Sequence, residues 1–149
     1  DVTGPKRNLP PRERIQQIVE RWVRQVAEYP LEVGLLYREL VHLEGSAGEW
    51  ARAVRHENVA QLRQIIHEGQ ATGEFRAGSV EVMVHQIMGT IAGLTDWYRP
   101  DGPIKLEEIV HEVTAWTMAA LSGSAAAQEA RSAAVTVDAK RAARAAARV

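Results

Sequence analysis

The stretch Ser79–Tyr98, SVEVMVHQIMGTIAGLTDWY, decides how the rest of the chain is read. Val80, Val84, Ile87, Met88, Ile91 and Leu94 recur at three- and four-residue spacing, which lays one apolar stripe along an α-helix. Ser79 stands where its hydroxyl can accept a hydrogen bond from the first turn. A second line, through Gln86, Gly89 or Thr90, Gly93 and Trp97, follows another face. A glycine inside an exposed helix costs about 1 kcal/mol against alanine, so Gly89 and Gly93 together point to close approach by another helix. This helix, apolar on one side and small on the other, is expected between its own core and a further layer.

Toward the N-terminus the same periodicity returns. After Pro10-Pro11, the residues Ile15, Ile18, Val19, Trp22, Val23 and Val26 make one stripe, and Pro30 ends that helix. A second helix is expected from Leu31 to Glu44, burying Leu35, Leu36, Leu40 and Leu43, with Gly45 as its stop. Ser46-Ala47-Gly48-Glu49 fits a capping box that opens a long third helix, Ala47 to Ala71. Its inward residues are Trp50, Val54, Leu62, Ile65 and Ile66, and Gly73 breaks it.

Beyond Tyr98, Pro100-Asp101-Gly102-Pro103 is a turn by its chemistry. A fifth helix, Lys105 to Leu121, carries Leu106, Ile109, Val110, Val113, Trp116, Thr117 and Ala120, a face wider than one core stripe. No useful strand alternation and no internal repeat occur. The fold class is therefore all-α: a 1–10 lead-in, one domain of five main helices over 11–121, and an Ala/Arg-rich tail over 122–149. That tail carries Arg131, Lys140, Arg141, Arg144 and Arg148 against Glu129 and Asp138, and is read as an appended, solvated helix with a frayed end.

Composition narrows the function classes. The 149 residues hold 18 basic and 19 acidic side chains, 46% hydrophobic residues and no cysteine. Disulfide scaffolds, thiolate metal sites and cysteine nucleophiles are thereby excluded. A formal net charge of −1 gives no overall pull toward phosphate backbones or anionic membranes. No apolar run is long enough to span a bilayer, and no signal peptide is recognised, so a cytoplasmic product, processed or truncated ahead of Asp1, is expected.

Catalytic patterns are not found. None of His42, His56, His67, His85 and His111 has a second histidine four residues away, the spacing that lets two imidazoles grip zinc. His85 is expected to face away from solvent. No serine sits in a nucleophile elbow, and Glu107-Glu108 are adjacent, so they point to different helix faces. The expectation is a non-enzyme without metal or cofactor. Trp22, Tyr29, Tyr37, Met83 and Met88 either fill a core or surround a cavity between helices; periodicity alone leaves both open.

Two segments carry a resemblance. Ile65-Ile66-His67-Glu68-Gly69-Gln70-Ala71-Thr72-Gly73-Glu74-Phe75-Arg76 resembles the helix-end segment of the C-terminal domains of TetR-type transcriptional repressors. Trp97-Tyr98-Arg99-Pro100-Asp101-Gly102-Pro103 is similar to the connection between the last two helices of those domains. The resemblance covers Pro11 to Leu121. It implies a homodimer whose last two core helices build a four-helix bundle, and a pocket for a small, apolar effector that releases the parent repressor from operator DNA. On that basis the pocket is expected at Trp22, Val26, Tyr37, Val41, Leu62, Ile66, Val84 and Met88. The dimer interface is expected at Gly89, Gly93, Trp97, Val110, Val113 and Thr117. Likeness to regulators of fatty-acid and steroid catabolism further suggests a lipid-like or acyl-thioester effector.

Three departures stand beside it. The family's DNA-reading helix-turn-helix is not found in residues 1–10, so operator DNA would be reached only through an N-terminal domain not present here. Lys105 stands where a serine or aspartate cap is expected, and the tail has no counterpart in the family. The competing reading is a stand-alone helical dimer with a filled core, acting as a partner-binding scaffold. An enzyme using His85 or His111 as a base is the other rival, and no motif supports it.

Overall fold

A computed structural model of the chain describes residues 8–38 and 44–123, apart from the side chains of Leu36 and Arg38. Leu40, Val41, Leu43 and the tail beyond Gly123 lie outside the described residues. Five α-helices follow one another: α1 (Pro11–Glu28), α2 (Pro30–Arg38), α3 (Gly45–Thr72), α4 (Val80–Trp97) and α5 (Leu106–Ser122). Among the described residues there is no strand. The described residues include no helix long and apolar enough to cross a membrane, and no cluster of side chains able to hold a metal.

The stripe of α1 explains its central place. Ile15, Ile18, Val19 and Val23 are all but fully buried, and α1 packs against each of the other four helices. Each such aliphatic side chain stabilises the fold by about 1.5–3 kcal/mol relative to exposure. Pro11 opens the helix at a position whose amide would have no helical partner. Arg12 donates to Ser122 Oγ at 2.9 Å, while Arg24 makes a two-pronged pair with Glu107 at 2.6 and 2.8 Å. The start of α1 thus meets the end of α5, and the two run antiparallel.

The turn after α3 is built by its own sequence. Gly73 takes a left-handed φ of +80° and its amide returns to Gln70 O, a glycine-ended helix stop. The amide of Phe75 then reaches back to Gly69 O at 2.9 Å, and the buried Phe75 ring lies on Gly69. Gln70 Nε2 donates to the carbonyls of Arg76 and Gly78, both at 3.0 Å. Arg76 completes the joint: its amide donates to Leu121 O at 2.8 Å and its Nε to Ala120 O at 2.7 Å. These carbonyls end α5 and would otherwise lack helical partners. One turn later, Ser79 caps α4 by accepting from the Val82 amide.

Several expectations need correction. α3 begins at Gly45, φ +64°, with Glu44 ahead of it and no side-chain cap. Ser46 and Glu49 therefore form no capping box, because Ser46 is already helical and cannot reach the first free amides. Trp50 is 65% exposed, not inward. Ala51 lies eleven positions before Leu62, about three helical turns, so Ala51 shares the buried stripe and Trp50 falls off it. Leu35 is half exposed because α2 turns Val33 and Tyr37 inward instead. His85 is exposed, one turn after Glu81 on the solvent face of α4. Lys105 precedes α5 with no side-chain cap, as its residue type implies, and Glu107 and Glu108 occupy the first turn.

Candidate functional site

Two of the grooves in the fold bear on the expected site residues. The first lies between α1 and α3. Trp22, Val26, Leu62, Ile66, Val84 and Met88 join in one continuous core, with Tyr37 packed against it, and of these expected pocket residues only Trp22 lines the groove. Leu62, Ile66 and Val84 have no exposed surface, whereas Trp22 keeps 7% and forms the floor of an open groove of about 700 Å³. Val54 and Asn58 of α3 and Tyr29 of α1's end contribute to its walls, with Glu20, Arg21, Arg24 and Glu28 along α1.

Beside Asn58 is a polar group that sequence reasoning missed. The Arg55 guanidinium lies over the Tyr37 ring, 5.9 Å from its centroid. Burial pushes the Tyr37 phenol above its ordinary value, against the opposing pull of Asn58 and Arg55. The phenol is therefore neutral at physiological pH and keeps a proton to donate. Lone polar residues in a long helix form no motif; only the four-residue step from Val54 to Asn58 hinted at a shared face.

The second place is the outer side of α4 and α5. A Cβ added at Gly89 or Gly93 would meet nothing within 4 Å. Trp97 and Trp116 are 53% and 52% exposed, and Ile104 lies open beside them. A groove of about 380 Å³ runs between them, lined by Thr90, Trp97, Ile104, Glu108, Ile109, Glu112, Val113 and Trp116. Of the residues expected at an interface, Gly89, Gly93, Trp97 and Val113 lie on this side. Val110 and Thr117 do not: they are 6% and 1% exposed and belong to the inward stripe of α5 with Thr114, Met118 and Leu121. Trp116, which the apolar width of α5 signalled, stands outward.

The comparisons with known proteins agree with this architecture. The family model described as "Tetracyclin repressor-like, C-terminal domain" matches residues 8–121. Three solved structures share the fold. A transcriptional regulator of the TetR/AcrR family from Thermobifida fusca YX-ER1 superposes with a TM-score of 0.67 at 23% identity, over 74% of this chain and 58% of that one. AibR, solved in complex with isovaleryl coenzyme A and operator DNA, gives 0.66 at 20% identity, over 74% of this chain and 60% of that one. The ketosteroid transcriptional regulator KstR2 of Mycobacterium tuberculosis gives 0.72 at 18% identity, over 79% and 61%. At such identities the likeness is one of fold, and the chain spans about three fifths of each structure's length. No curated protein is similar enough in sequence to match. Matched over nearly all of its five helices, the chain belongs to the family of tetracyclin repressor-like C-terminal domains.

Proposed function

We propose that this domain binds a small apolar effector and dimerises, and that in its parent protein it thereby controls a separate DNA-reading domain. The observation that carries the reading is the bare outer side of α4 and α5, where Trp97 and Trp116 stand half exposed beside Gly89 and Gly93. Two indoles left open to water are costly for a lone protomer, and a second copy across a two-fold axis covers both at once. The effector is assigned to the groove between α1 and α3, over Trp22. A lipid-like or acyl-thioester molecule is the class in view, since AibR was solved with isovaleryl coenzyme A and KstR2 is a ketosteroid regulator.

The mechanism is a population shift. Effector binding favours one arrangement of the helices, and the DNA-reading domains of the dimer then no longer match successive major grooves. A differential affinity of about 1–3 kcal/mol suffices for such coupling. No catalytic step is assigned.

Native mass spectrometry of the purified chain with isovaleryl coenzyme A tests this reading. A dimer that holds the added thioester, and loses it on denaturation, is the expected result. A monomer at micromolar concentration overturns the dimer, and a dimer that retains none of the thioester overturns that effector.

A further inference from the structure

The groove on the outer side of α4 and α5 has an acidic rim and no cation of its own. Glu108 and Glu112 line it with Trp97, Ile104, Val113 and Trp116, and among the described residues its lining holds no arginine, lysine or histidine. Neither carboxylate is held in an ion pair with another described residue, whereas Glu68, Glu81 and Glu107 each have an arginine. Covering two unpaired carboxylates with a second copy costs free energy unless that copy brings a positive group.

α4 carries such a group at a matching place. His85, Gly89, Gly93 and Trp97 follow one another at four-residue steps, so His85 and Trp97 stand equally far from the midpoint of the two glycines. They are about 18 Å apart along the helix and about a third of a turn apart around it. They therefore flank the glycine line on opposite sides. Trp97 lies toward the groove with α5, and the exposed His85 toward α3, one turn after the Glu81 that Arg63 holds. Two helices come closest where no Cβ intervenes, and the outer side of Gly89 and Gly93 is open. A two-fold axis through that point exchanges the ends of α4 and its flanks together. It sets His85 of the second copy over Trp97, at the mouth of the groove.

We propose that two copies meet across an axis between Gly89 and Gly93, and that His85 of each seats on Trp97 of the other with its imidazolium paired to Glu108 and Glu112. This rests on the outer side of α4 and α5 being the dimer interface. It adds the register of the two copies, and the pairing that selects a second copy of this chain over another protein with an apolar face. A protonated imidazole is attracted both to the indole face and to the carboxylates beside it. The partner is thus chosen by charge as well as by shape.

The chain has no cysteine, so paired cysteines read the register directly. In the full chain carrying His85→Cys and Glu112→Cys, a short bismaleimide should yield a covalent dimer, whereas either single variant should yield none. Analytical ultracentrifugation at about pH 6, where histidine side chains carry charge, reads the pairing. His85→Glu should weaken dimerisation about tenfold or more, and adding Glu108→Lys with Glu112→Lys should restore it. All three residues are exposed in the protomer, so these variants keep its core. Absence of the cross-link in a chain that still dimerises overturns the register. Failure of His85→Glu to weaken the dimer, or of the two lysines to recover it, overturns the pairing. Either result leaves the interface itself standing. A wild-type monomer at micromolar concentration overturns the interface, and this inference with it.

Discussion

Gly69 is a glycine whose missing Cβ is replaced by another residue's ring. A methyl group there would fall 2.1 Å from Phe75 Cδ2, and the bond from the Phe75 amide to Gly69 O holds the ring's backbone close by. Gly69→Ala should therefore cost about 1–3 kcal/mol of stability, as overpacking does. Gly73→Ala forces a side chain into φ +80° and should cost about 1–2 kcal/mol, with no contact disturbed. Urea unfolding of both variants measures this, and a neutral Gly69→Ala would show that the ring can move aside. The segment from Ile65 to Arg76 was legible as a helix end because Gly73 punctuates it. The purpose of Gly69 was not, since a glycine within an apparent helix looks the same whether it yields space or merely weakens the turn.

The helices are joined by carboxylates whose acidity follows from their partners. Glu68 is held below the usual carboxylate value of 4.5, first by the hydrogen bond from Gln64 and then by Arg14, while Glu81 is lowered by Arg63 and Glu107 by Arg24. A carboxylate with a depressed folded-state pKa contributes stability above its unfolded value, lost as the pH falls through the folded one. Thermal stability should thus decline as pH drops below about 4.5, and Glu68→Gln should flatten that decline. Melting curves across the acid range check it; an unaltered slope would remove Glu68 from the account. Arg14 is the buried partner here, 7% exposed, and it links α1 to α3. At this scale the sequence was most readable. The stripes of α1 and α4 are buried as their spacing requires, because three- and four-residue steps return to one face. Trp50 and Leu35 misled because size suggests burial whereas phase decides it, and neighbouring small or branched residues held the inward phase.

For the molecule as a whole, the question is what covers the side of α4 and α5 that faces away from the core. Under the proposed dimer, Trp116→Arg should yield a monomer at micromolar concentration with unchanged helicity, since a half-exposed side chain contributes little to the protomer's own core. Light scattering coupled to gel filtration, with circular dichroism, reads both quantities, and a variant that stays dimeric would move the interface elsewhere. Which side of α5 faces outward was only half legible: its apolar width was clear, but Val110 and Thr117 were not separable from Val113 and Trp116 without knowing where α1 lies. The joint at Arg76 has a mechanical meaning for the entire fold. Arg76 ties the turn after α3 to the last carbonyls of α5, and the Arg12 amide and guanidinium tie the first turn of α1 to Glu74 and Ser122. Three helix ends thus form one stiff corner, and the chain enters α1 there. A displacement of α3 at this end is expected to pull on the entrance of α1 through these bonds, as the arm of a bell crank would.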